Sequence, residues 1–113
     1  MDPNKVYSLI SLSMRAGKVK SGEFATMEAI RGKTAHLVIV TEDASDNTIK
    51  QFTDKCKYYD VPIAFFGDKE SLGHAIGKGV RTSLAITDLG LSKSLRKNLL
   101  TEETGGGNVN GEN

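Results

Sequence analysis

Apolar residues recur along the chain first at helical spacing and then in short runs, and this alternation repeats to its last third. Val6, Leu9, Ile10 and Met14 lie three and four apart, which puts them on one side of a helix. Asp2-Pro3 precedes them as an N-cap and the first-turn proline that helices favour, and Gly17 closes the segment. Lys18-Val19-Lys20 reads as a minimal strand. Ser21 is placed to cap a second helix, with Glu23 in its first turn, where the helix dipole favours an anion. Met27 and Ile30 mark the apolar side of that helix and Gly32 its end.

His36 to Val40 is apolar throughout after His36, the pattern of a central strand covered on both faces. Ser45 or Asp46 starts a third helix carrying Ile49, Phe52, Cys56 and Tyr59. Val61 to Phe66 gives a further strand, with Pro62 near its start, where a missing N–H is tolerated. Asp68 opens a short helix with Leu72, Ala75 and Ile76. Ser83 to Thr87 is the last strand, and Leu91, Leu95 and Leu99 stripe a final helix. Helices and strands that alternate this regularly predict a layered α/β/α sandwich. Pairing of the Lys18–Lys20 stretch at an edge makes its four-stranded sheet mixed. The domain spans residues 1–100. Residues 101–113, acidic and rich in Gly and Asn, read as a flexible tail that buries too little to order itself.

Composition narrows the class. The 113 residues, 38% hydrophobic and 26% charged, amount to one globular domain. No run approaches the ~18 apolar residues of a membrane span, and the polar N-terminus lacks the apolar core of a secretory signal. Cys56 is the single cysteine, so no internal disulfide forms and a reducing cytoplasm fits. The formal net charge is +1, but the tail holds three glutamates and no Lys or Arg. Without it, 15 basic residues stand against 11 acidic ones, about +4 by formal count. That sign permits a phosphate-bearing partner without demanding one.

Enzyme signatures do not survive inspection. Gly32-Lys33-Thr34 imitates the end of a phosphate-binding loop, but the motif's first glycine falls on Met27 and the segment precedes a strand instead of following one. Gly73 to Gly79 has the wrong spacing and lies at a helix C-terminus, so its glycines read as helix stops. Cys56 shares the apolar stripe of Phe52 and Tyr59, the place of a buried structural thiol. His36 and His74 lack a second ligand at metal spacing. No catalytic residue, metal or cofactor is expected. What remains is a set of polar residues at element ends: Arg15, Lys18 and Lys20 around the first strand, Ser21-Gly22-Glu23 opening the second helix, and Lys78-Gly79-Val80-Arg81-Thr82 before the last strand. A helix N-terminus with free N–H groups attracts phosphate or base edges.

Ala16 to Glu23, Ala29 to Lys33, Leu37 to Ser45, Thr53 to Tyr59, Leu72 to Lys78 and Leu84 to Asp88 occur in an order that resembles the kink-turn-binding ribosomal protein family, closest to its small bacterial YlxQ-type members. The resemblance covers Tyr7 to Leu99. It implies a three-layer sandwich that binds a kink-turn, an RNA helix sharply bent at a bulge beside sheared G·A pairs. In that family the N-terminus of the second helix reads the G·A pairs, and the loop before the last strand packs on an extruded nucleotide. By position, Gly22, Glu23, Phe24 and Met27 then lie in the reading turn. Arg31 faces the RNA backbone one turn on. Gly79, Val80 and Arg81 form the loop, with Val80 as its apolar contact, and Lys18, Lys20 and Lys78 meet phosphates.

The resemblance also implies a partner: structured RNA, either a kink-turn or ribosomal RNA, with the ribosome or translation factors nearby and no membrane. The chain is expected to act as a cytoplasmic monomer. It departs from the family's helix motif, Gly-x-(Asn or Lys)-(Glu or Gln)-x-x-Lys. Anchored on Gly22, it supplies Phe24, Ala25 and Glu28; shifted by one, it supplies Glu23, Phe24 and Met27. Neither register recovers the lysine, so RNA binding is expected to be weaker or altered in preference. The competing reading is a protein-interaction module of the translation or ribosome-assembly machinery on the same fold.

Overall fold

The computed structural model describes residues 1–106, with side chains through Leu99. Five helices and four strands alternate: α1 (Pro3–Arg15), β1 (Val19–Ser21), α2 (Glu23–Arg31), β2 (Leu37–Val40), α3 (Asp46–Tyr59), β3 (Ile63–Phe65), α4 (Lys69–Ala75), β4 (Ser83–Ile86) and α5 (Leu89–Gly106). The sheet order is β1-β4-β2-β3. β2 and β3 run parallel, and β4 is antiparallel to both β1 and β2. The expected mixed sheet with β1 at its edge is therefore present. The backbone of α5 continues past the Leu100 boundary to Gly106; the rest of the expected tail, residues 107–113, lies outside the described residues.

Strand side chains alternate between two cores, because successive Cβ atoms point to opposite faces of a sheet. Leu37 and Ile39 of β2 and Leu84 and Ile86 of β4 join Val6 and Ile10 of α1, Leu72 of α4 and Leu95 of α5. On the other face Val38, Val40 and Ala85 meet Met27 and Ile30 of α2 and Phe52 and Cys56 of α3. This double coverage is why β2 and β4 are buried at every position and why their sequences do not alternate with polar residues. Truncating a fully buried side chain such as Ile39 to alanine costs about 2–5 kcal/mol. Cys56 is buried in the second core, and burial pushes its thiol up to about 11. It is a packing group with almost no thiolate at neutral pH.

Helix starts follow the sequence in three cases. The Asp2 carboxylate accepts the Asn4 N–H at 3.0 Å, Ser45 Oγ the Thr48 N–H at 3.1 Å, and Asp68 the Ser71 N–H at 2.8 Å. The second helix differs. Ser21 does not cap it, because Ser21 is still in β1, paired with Leu84. Gly22 occupies the cap position at φ 92° and ψ 163°, with no side chain bonded to the first turn.

The Asp68 cap makes a pH-dependent contribution to stability. Hydrogen bonds from the Ser71 N–H and then the Ser71 hydroxyl hold its carboxyl below the ordinary aspartate range. A depressed carboxylate stabilises the fold above its unfolded pKa, and that contribution disappears as pH falls through the lower folded value. Asp68→Ala is expected to lower the melting temperature at neutral pH. The gap from the wild type should narrow once both are measured well below pH 3.9, the ordinary aspartate value. A gap constant with pH would show that the carboxylate is not the cap.

Candidate nucleic-acid interface

Two segments sixty residues apart meet at one end of the sheet. β1 ends at Ser21, and the Gly22 N–H donates to the Ser83 carbonyl at 2.9 Å, so the turn into α2 begins beside the first residue of β4. The α4–β4 loop arrives at the same place. The Arg81 N–H donates to the Lys69 carbonyl at 3.0 Å. The Arg81 side chain donates through Nη1 to the Val80 carbonyl at 2.9 Å and through Nε to Ser21 Oγ at 3.4 Å. The guanidinium thereby lies across Gly22: a Cβ there would stand 4.0 Å from Nε.

Local sequence explains the loop. α4 stops at Gly77, whose φ of 70° is the left-handed value that ends helices. The Gly77 N–H bonds back to the His74 carbonyl and the Lys78 N–H to the Gly73 carbonyl. The loop then folds onto α4 so closely that a Cβ on Gly73 would overlap the Gly79 carbonyl. Gly77 is the helix stop the sequence suggests, whereas Gly73 lies within α4 and is a close-approach position that the spacing did not reveal. Gly32-Lys33-Thr34 likewise sits at the C-terminus of α2, with Gly32 as its cap.

The predicted residues divide into three groups. Lys20, Gly22, Glu23, Phe24, Lys78, Gly79, Val80 and Arg81 gather at the β1–α2 turn, the adjoining edge strand and the α4–β4 loop. The Lys20 side chain is exposed on β1, and its carbonyl accepts the Thr26 hydroxyl at 3.4 Å. Lys18 and Arg31 are elsewhere. The Lys18 carbonyl accepts the Thr87 N–H at the other end of β4, and Arg31 closes α2, about 12 Å from its start at 1.5 Å per residue. Both are exposed, at the opposite end of the sheet from the turn.

Met27 is a correction. Its side chain is 4% exposed in the core shared with α3, because helical spacing turns position 27 toward Ile30 and the sheet. It supports the turn from below and presents no surface to a partner. The sequence puts Ser21 at the opening of α2; the structure makes it the acceptor for Arg81 Nε. No local signal in the sequence links positions 21 and 81.

The first turn of α2 thus combines uncapped N–H groups, which carry the positive end of the helix dipole, with a neighbouring guanidinium. Phe24 is 75% exposed and Val80 is 56% exposed, so apolar surface lies on both segments. Glu23 and Glu28 are exposed on the same helix. Among the described residues no ion pair joins Glu28 to Arg31, so its carboxylate charge is not offset there. Among the described residues no three His, Cys, Asp or Glu side chains gather as metal ligands, and no helix is long and apolar enough to cross a membrane.

Gly22→Ala tests the turn. At φ 92° an alanine is strained by about 1–3 kcal/mol, and its methyl group would touch the Arg81 side chain. The expected result is a lower denaturation midpoint together with faster amide exchange at Arg81. An unchanged midpoint would mean that the turn relaxes without cost.

Known proteins share this sequence pattern and this fold. The family model of the ribosomal protein L7Ae/L30e/S12e/Gadd45 family matches residues 4–96. A Bacillus subtilis protein named RNA-binding protein YlxQ is 46% identical over 89 residues, 79% of this chain and 89% of its own length. A solved structure of a protein of unknown function from Bacillus halodurans C superposes with a TM-score of 0.81 at 35% identity, covering 84% of this chain and 96% of that one. The Giardia lamblia 15.5kD RNA binding protein superposes with a TM-score of 0.75 over 85% of each chain. At 20% identity, that likeness speaks for the fold alone. The sandwich, the order of its motifs and the match over residues 4–96 place this chain in the ribosomal protein L7Ae/L30e/S12e/Gadd45 family, the family its sequence resembles.

Proposed function

We propose that this chain is a non-enzymatic RNA-binding protein that recognises a kink-turn or a related bent RNA through the β1–α2 turn and the α4–β4 loop. The observation that carries the reading is the hydrogen bond from Arg81 Nε to Ser21 Oγ, beside Gly22. It fixes an uncapped helix N-terminus, a cation and the exposed Val80 as one surface. Such a surface suits RNA whose bases are splayed out of the stack, since regular A-form grooves expose little sequence information. The name of the Bacillus subtilis relative supports the same class of partner. On this reading the protein acts as a cytoplasmic monomer on ribosomal or ribosome-associated RNA.

The roles follow from chemistry. The free N–H groups of Glu23 and Phe24 point toward acceptors on base edges or phosphate. Lys20, Lys78 and Arg81 hold phosphates near the turn, and Lys18 and Arg31 serve a helical arm that extends along α2. Such contacts position the RNA without reading its sequence. Glu28 opposes them, because a carboxylate stands where the family motif anchored on Gly22 has a lysine.

The test is a titration of a standard kink-turn RNA and a straight duplex at two salt concentrations. Preferential binding to the kink-turn, falling with salt, is expected. Lys78→Ala should weaken binding and reduce the slope of log affinity against log salt by roughly one phosphate contact. Glu28→Lys should strengthen binding and steepen that slope. Equal affinity for kink-turn and duplex would overturn the kink-turn reading, and binding to neither would favour a protein partner on the same surface.

A further inference from the structure

The Phe24 side chain takes no part in the phosphate and backbone N–H contacts proposed for this surface. It is the second residue of α2, and 75% of it is exposed, whereas Phe52 and Phe66 are buried in the two cores. A phenyl ring left in water forgoes the burial that stabilises those two. It can donate or accept no ordinary hydrogen bond, so it cannot read the edge of a base pair. In the register anchored on Gly22 it stands where the family motif has a hydrogen-bonding Asn or Lys.

Its neighbours limit what can cover it. Gly22, two residues earlier, has no side chain, and the Arg81 guanidinium lies just beyond it. Val80 adds an exposed apolar surface from the loop. Glu23 precedes the ring, and Glu28 lies one helical turn on, on the same face. Carboxylates on the helix side repel phosphate there, while Arg81 and Lys78 attract it from the loop side. A nucleobase meets both demands: its face is flat and apolar, and its phosphate can lie away from the carboxylates. A base stacked within a helix cannot present that face; an unpaired, unstacked one can.

We infer that Phe24 is a stacking platform for one unpaired RNA base, which makes this chain select RNA by an extruded nucleotide of relaxed identity in place of polar readout at that position. The inference rests on the RNA-binding reading above. Stacking on an aromatic side chain tolerates any base, because every base has a π-face. It is also insensitive to the charge of Glu28, which opposes only phosphate contacts.

The experiment uses the full chain, wild type and the variants Phe24→Ala and Phe24→Tyr, with two RNAs: a standard kink-turn and a hairpin carrying a single-nucleotide bulge. Each unpaired nucleotide is replaced in turn by 2-aminopurine or by an abasic site, and affinities are measured at two salt concentrations. Because Phe24 is exposed, the melting temperature of Phe24→Ala should match the wild type. Phe24→Ala is expected to weaken binding about 5- to 150-fold, the range for loss of one base–aromatic stack. The salt slope should stay unchanged, since a ring contact releases no counterions. Phe24→Tyr should retain affinity. One 2-aminopurine position should lose its quenching in Phe24→Ala, and the abasic RNA at that position should bind wild type and Phe24→Ala alike.

Equal binding of wild type and Phe24→Ala to both intact RNAs would overturn the inference and leave the kink-turn reading standing. A Phe24→Ala defect undiminished on every abasic RNA would also overturn it. Phe24-dependent binding of the bulged hairpin with no preference for the kink-turn would support stacking and overturn the kink-turn reading. Binding of the wild type to neither RNA would overturn both.

Discussion

The hydrogen bond from the Gly22 N–H to the Ser83 carbonyl, 2.9 Å long, joins the two segments on which the candidate interface is built. β4 lies between β1 and β2, so its first residues are gripped from both sides: Ser21 pairs with Leu84, and the Thr41 N–H donates to the Thr82 carbonyl at 2.9 Å. Whatever precedes β4 is therefore delivered to the turn that follows β1. Closing so long a loop adds little entropy cost beyond that of a shorter one. The buried faces of β4 supply the favourable term, with Leu84 and Ile86 in one core and Ala85 in the other. Loops around this join are tied to one another as well. The Asp43 carboxylate accepts the Lys69 N–H at 3.1 Å, and the Lys69 carbonyl accepts the Arg81 N–H. A surface held by backbone bonds of this kind is formed before a partner arrives, which lowers the ordering cost of binding.

Electrostatics alone would not single out this surface. The formal charge is close to neutral, and α2 carries Glu23 and Glu28 as well as Arg31. Direction matters more than sum. Uncapped N–H groups and the Arg81 guanidinium converge at the start of α2, while Glu28 lies a turn further along. Glu23 shares that first turn, so the attraction for an anion comes from the loop side, where Arg81 lies. Phe24 and Val80 add a non-electrostatic component that salt does not weaken. The proposed mode of recognition combines the two, with cations to hold the backbone and apolar surface for a base out of the stack.

Much of the fold was legible in the sequence because its determinants are local. Caps at Asp2, Ser45 and Asp68, stops at Gly32 and Gly77, and two unbroken apolar strands each act within a few residues of their own position. Ser21 reads as a cap in the sequence because a strand residue and a cap residue look alike when the next residue is glycine. The φ of 92° at Gly22 is what moves the cap one place on. The family resemblance puts Met27 in the reading turn, but its direction follows from the helix phase, which buries it against α3 and the sheet.

The sequence by itself determined the alternation of helices and strands, the two-faced burial of the central strands and the family to which the chain belongs, because all three are written in spacing and order along one dimension. Only the tertiary structure decided which polar residues share a surface. It brought Arg81 to Ser21 and Gly22, pressed the Gly79 carbonyl against Gly73, and sent Lys18 and Arg31 to the far end of the sheet. Those placements depend on β4 inserting between β1 and β2, a pairing between distant segments that no local pattern specifies.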